Sequence, residues 1–76
     1  MNNQRRKEIK KIIDRLDIIK NEVEQICNDE EDYHDNIPEN LQDSDRAMSS
    51  EEVIDNLNEV LENIENAIDN LESAME

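Results

Sequence analysis

From Val53 onward the chain repeats itself every seven residues: VIDNLNE, VLENIEN, AIDNLES and AME stack into columns. Three columns are apolar. They are Val53, Val60, Ala67 and Ala74; Ile54, Leu61, Ile68 and Met75; and Leu57, Ile64 and Leu71. Steps of three and four place such residues on one side of an α-helix, whereas a strand would alternate with period two. Three apolar positions in seven make a stripe wider than a strict two-stranded seam, the width of a helix packing in a bundle. Ser49 with Glu52 three residues on forms a capping box, and Glu51 and Glu52 suit the positive end of the helix dipole. The spacing predicts a helix over about 49–75.

The first half carries a second pattern. Ile9, Ile12, Leu16, Ile19, Val23 and Ile26 follow alternating steps of three and four, continued by Glu30 and Tyr33, with Ile13, Ile18 and Cys27 alongside. Glycine is absent from the chain and the one proline is Pro38, so a helix is expected over about 4–33. Between the helices a loop is expected over about 34–48. Pro38 pushes Ile37 toward an extended conformation, and Asp35, Asn36, Asn40, Asp43, Ser44 and Asp45 are turn formers. Ile37 and Leu41 are expected to pin this loop onto the hairpin end.

Charge sets the direction of pairing. Residues 1–20 have a net charge of +4 and residues 21–76 a net charge of −18. An antiparallel hairpin puts Arg5, Arg6, Lys10 and Lys11 beside Glu65, Asp69, Glu72 and Glu76. Each exposed pair contributes little, about 0–1 kcal/mol, but their summed pattern favours antiparallel over parallel helices. The sequence therefore predicts an all-α, single-domain, coiled-coil-like two-helix hairpin. The paired stripes offer more apolar surface than one hairpin contact covers. Self-association is expected, most simply a two-fold homodimer forming a four-helix bundle.

Several chemistries find no support in the residues. Cys27 is the sole cysteine, so no disulfide forms within the chain, and a lone thiol fits a reducing cytosol. No apolar run is long enough to cross a membrane, and no apolar stretch follows the basic N-terminus, so neither a membrane span nor a signal peptide is expected. Glu31 and His34 have the Glu-x-x-His spacing of di-iron bundles, but such sites need further glutamates; a solvated helix end is the plainer reading, and no metal is expected. Cys27 with His34 could form a soft-metal pair or a nucleophile–base pair, yet neighbouring acids disfavour the thiolate, and a structural cysteine is expected. The acids of residues 29–32 and 43–45 lack the spacing of an EF-hand loop. The basic cluster at Arg5, Arg6, Lys7, Lys10 and Lys11 is better explained by pairing within the hairpin than by nucleic acid, which a net charge of −14 repels. No enzymatic activity and no cofactor are expected.

The second helix carries acids with no basic residue after Arg46. Glu51, Asp55, Glu59 and Glu62 step by three or four along it. Such a row can imitate a nucleic-acid backbone toward a protein, or serve simply as a solvated face that keeps the chain dissolved.

The segment Tyr33-His34-Asp35-Asn36-Ile37-Pro38-Glu39-Asn40-Leu41-Gln42, with Ser44 and Arg46 after it, resembles a family of small phage and prophage helical proteins. That family has a basic first helix, an acidic stretch, a Tyr/Asn/Pro-Glu-x-Leu-Gln-like loop and a closing helix of acidic heptads. Here His34 and Asp35 make the Tyr33–Asn36 spacing one residue longer than the family's short form. The resemblance implies phage origin and carries over no activity. Small acidic phage-encoded helical proteins often inhibit host defence by occupying a partner's surface. A non-enzymatic inhibitor of a host defence protein in the host bacterial cytoplasm is therefore expected, with Tyr33, Asn36, Pro38, Glu39, Leu41, Gln42 and Arg46 as candidate contacts. In the plainer alternative, Tyr33, Ile37 and Leu41 plug the open end of the bundle while Asn and Gln cap helices. Two other functions remain open: an oligomer that sequesters a nucleotide signal, and an assembly accessory.

Overall fold

A computed structural model describes residues 1–41 and 44–76. It contains two long helices, α1 (Asn3–Asp35) and α2 (Asp45–Ala74), with a single 3-10 turn at Glu39–Leu41 and no strand among the described residues. At 1.5 Å per residue α1 is about 50 Å long. The molecule is a rod of 59 × 15 × 12 Å with a radius of gyration of 17.4 Å. A compact chain of this length would measure about 11 Å.

The helices run antiparallel. The Arg6 Nε–H donates to the Met75 carbonyl at 2.9 Å, Lys20 Nζ meets Glu65 Oε1 at 3.1 Å, and the Ser50 hydroxyl donates to Glu30 Oε1 at 2.9 Å. Partners in α2 thus descend as those in α1 ascend. The charge asymmetry of the sequence is realised in this direction, with Arg6 and Glu65 from the expected set and Lys20 from outside it. Lys20, rather than Lys10 or Lys11, makes the lysine–carboxylate pair among the described residues. Arg6 caps the carbonyl end of α2, where a cation meets the negative end of the helix dipole.

Both helix starts are capped by polar side chains. The Arg5 N–H donates to Asn2 Oδ1 at 2.8 Å, and the Ala47 N–H donates to Ser44 Oγ at 3.3 Å. The second cap corrects the start expected at Ser49: α2 begins four residues earlier than 49, and Ser49 and Glu52 lie exposed within it. The inward stripe explains the extension. Ala47 is wholly buried and Ser50 nearly so, continuing the three-and-four stepping of Ile54 and Leu57 toward the N-terminus. Asp45 in the first turn suits the helix dipole.

The connection is consequently residues 36–44 rather than 34–48, since α1 also extends to Asp35. With no glycine available, the chain reverses without any positive φ among the described residues. Caps and a tight turn do the work instead. The Asn36 N–H and side-chain Nδ2 both donate to the Asp32 carbonyl, at 3.1 and 2.8 Å. The Leu41 N–H then closes the turn on the Pro38 carbonyl at 2.8 Å, and the Ser44 N–H donates to the Leu41 carbonyl at 3.0 Å. Ile37 tucks into the hairpin end, buried to 6% exposure, whereas Leu41 and Tyr33 stay exposed. The expected pin is therefore Ile37 alone.

Candidate interaction surfaces

Each helix buries one line of residues against the other. In α1 the buried and half-buried positions are Arg6, Ile9, Ile13, Leu16, Lys20, Val23, Cys27, Glu30 and His34. In α2 they are Ala47, Ser50, Ile54, Leu57, Leu61, Ile64, Ile68 and Leu71, with Ala67 beside them and Met75 continuing the line at the C-cap. The core is thin: the buried apolar side chains are Ile13, Cys27, Ile37, Ala47 and Ile68. For α2 these are two of the three columns the heptads predict; of the third, Val53, Val60 and Ala74 stay exposed. For α1 the line is not the one expected. The expected seam used Ile12, Ile19, Ile26 and Tyr33, and the structure places the column one residue later in their stead.

That later column forms a polar ladder along one flank of the hairpin. Its rungs are Lys20 with Glu65 at 3.1 Å, Cys27 Sγ with Asn58 Oδ1 at 3.6 Å, and His34 Nε2 with Glu51 Oε1 at 3.3 Å. The His34 approach has ion-pair distance when the ring is protonated but lacks hydrogen-bond alignment, which leaves Nε2 buried without a hydrogen-bond partner. Each rung steps seven residues along both helices. Glu65 raises the Lys20 ammonium above the ordinary lysine range, by hydrogen bond and by charge. Burial raises the Cys27 thiol, and the Glu31 carboxylate 3.8 Å from Sγ adds to the shift. Glu31 thus turns back toward Cys27. Among the described residues no three His, Cys, Asp or Glu side chains gather as metal ligands.

The displaced column lies on the opposite flank. Ile12, Ile19, Ile26 and Tyr33 are all exposed, Ile19 at 44% and Ile26 at 56%. They precede by one residue the inward positions 13, 20, 27 and 34. In α2 the exposed Val53 and Val60, followed by Ala67 and Ala74, likewise precede the inward positions 54, 61, 68 and 75. Both helices turn in the same sense, about 100° per residue, and they face each other antiparallel. Columns that precede the seam on each helix therefore fall on the same side of the hairpin, and the two together make one apolar ridge. Glu51, Asn58 and Glu65 follow the inward positions 50, 57 and 64, which is why they meet α1 on the other flank.

The acidic row lies away from the ridge. Glu51, Asp55, Glu59 and Glu62 are all exposed and span about 80° of α2, on the ladder flank and the back of the helix. The loop residues divide between building and display. Asn36 is committed to ending α1 and Pro38 to closing the turn. Glu39, Leu41 and Arg46 are exposed, and Tyr33 sits at the loop end of the ridge. Gln42 and the expected turn former Asp43 lie outside the described residues. A shallow surface groove of about 370 Å³ follows the ladder flank, lined by Asp17, Lys20, Glu65, Ile68 and Asp69. No helix among the described residues is long and apolar enough to cross a membrane. The chain matches no protein-family model, no curated protein and no solved structure.

Proposed function

We propose that this chain is a non-enzymatic interaction protein. Its hairpins pair through the apolar ridge into a four-helix bundle, which leaves the loop and the acidic row free to hold another protein. The observation that carries this reading is the segregation of the two surfaces: Ile12, Ile19, Ile26, Val53 and Val60 on one flank, Glu51, Asp55, Glu59 and Glu62 on the other. A rod two helices thick has little interior from which to exclude water around a reaction, which favours binding over catalysis. The resemblance of the loop to phage helical proteins makes a host defence protein the proposed partner, inhibited by occupation of its surface in the host cytoplasm.

The test separates loop from acidic row. Pull-down from bacterial lysate is compared for the wild type, for Pro38, Glu39, Leu41 and Gln42 changed to Ala, and for Glu51, Asp55, Glu59 and Glu62 changed to Gln. Loss of one captured protein with the loop set, at unchanged helical circular dichroism, is the expected result. Loss with the acidic set, together with displacement of the captured protein by DNA, would instead make the row a phosphate mimic. Retention by both variants would refute inhibition through these surfaces.

A further inference from the structure

The ridge has a register, and the register identifies how it is covered. Arg6 stands level with Met75 and Glu30 level with Ser50, so interpolation puts Ile19 level with Val60 to within about 3 Å at 1.5 Å per residue. Seven-residue steps then set Ile12 beside Ala67, Ile26 beside Val53 and Tyr33 beside Arg46. We propose that a second copy of this chain covers the ridge with its loop at the opposite end. The two-fold axis crosses the rod at Ile19 and Val60, so that α1 lies on α1 and α2 on α2. This arrangement rests on the self-association proposed above.

Area supports a copy as the occupant. A globular chain of 9.0 kDa exposes about 4,900 Å², and this one exposes 5833 Å². The excess, roughly 1,000 Å², matches the ~800 Å² that each partner gives up in a standard stable interface.

Charge selects the same occupant and fixes its direction. Next to Val53 and Val60, the outer edge of the ridge on α2 is Ser49, Asn56, Asn63 and Asn70, an exposed column with no charge in a helix otherwise rich in acids. Two such edges can meet across a two-fold axis without like-charge repulsion, whereas a basic partner would find nothing there to attract it. On α1 the corresponding edge holds Glu8, Arg15, Glu22 and Asp29. With the loops opposed, Arg15 of each copy faces Glu22 of the other, and Arg5 reaches the partner's Tyr33, a cation over an aromatic face. The +4 segment of one copy also lies along the acidic loop end of the other. With the loops together, both acidic ends would crowd one end of the bundle.

Site-specific cross-linking reads the geometry. In a Cys27→Ala background, Ile19→Cys oxidised with diamide should yield a disulfide-linked dimer, because residue 19 lies on the axis. Ile12→Cys alone should stay unlinked, and Ile12→Cys mixed with Ile26→Cys should link as a heterodimer. Cα atoms must approach within about 7 Å for such a bond, and diagonal helices of a bundle do not. A dimer by sedimentation that fails to link at position 19 overturns the opposed arrangement and leaves self-association standing. A monomer at 100 µM overturns self-association itself. Asn63→Glu, which leaves the hairpin seam untouched, should weaken dimerisation by tenfold or more; an unchanged dissociation constant places the second copy elsewhere.

Discussion

The two flanks of this hairpin have exchanged the roles their residues suggest. On α1 the column at positions 13, 20, 27 and 34 is Ile, Lys, Cys and His, and it faces the other helix; the column at 12, 19, 26 and 33 is Ile, Ile, Ile and Tyr, and it faces outward. A lone hairpin minimising exposed apolar area would rotate α1 to bury the second column. The observed rotation keeps the ladder of Lys20–Glu65, Cys27–Asn58 and His34–Glu51 and leaves the apolar ridge uncovered. The seam within the chain and the surface offered by it are thus separate devices, and they should respond to different perturbations.

The largest expected effect breaks the seam. Ile13→Ala removes one of the few buried aliphatic side chains and should cost about 2–4 kcal/mol in urea unfolding. That loss should be the same at every protein concentration. Ile12→Ala, its neighbour on the ridge, should lose stability at high concentration and approach the wild type on dilution. Equal, concentration-independent losses for the two would erase the distinction between the flanks.

Alkaline pH should strain the ladder and spare the ridge. Because the Cys27 thiol is raised in the folded chain, the unfolded thiol ionises first, and stability falls as pH rises past the ordinary thiol value of about 8.5. Lys20 is also raised, so its contribution is complete below the ordinary lysine value and is lost as pH climbs through the higher folded one. Thermal melts of Cys27→Ala should show a smaller decline near pH 9 than the wild type, while the sedimentation of both remains unchanged there.

A smaller effect is expected from salt. The net charge of −14 includes acids on α2 without cationic partners, and screening their repulsion should raise the melting temperature between 0.01 and 0.15 M salt. A falling melting temperature would mean that pairs such as Lys20–Glu65 outweigh the repulsion. The smallest effect is that pair itself: a double-mutant cycle on Lys20 and Glu65 should give a slight coupling that vanishes in 1 M salt, as expected of a solvent-accessible ion pair.

The helical class, the antiparallel direction and two of the three apolar columns of α2 as its inward stripe were legible in the sequence, because heptads and charge asymmetry report them directly. The rotation of α1 was not. Its apolar residues occupy adjacent columns, and period alone cannot say which one meets the neighbouring helix. The start of α2 was obscured because Ser44 and Asp45 are as typical of turns as of helix caps, and Ala47 is too small to announce a seam. At the candidate surface, the exposure of Glu51, Asp55, Glu59 and Glu62 followed from periodicity. The division of the loop did not, since whether Asn36 binds a partner or ends its own helix depends on its bond to Asp32.

A core only one side chain deep makes this molecule a stack of layers, each touching little beyond the layer above and the layer below. Such a stack loses structure by degrees, like a repeat array, with its ends opening before its middle. Amide exchange should therefore be slowest around Leu16–Ile64 and quicken toward both tips, held back at one by the Arg6 clamp on Met75 and at the other by buried Ile37. Whichever of those two latches is weaker sets where the hairpin starts to unzip.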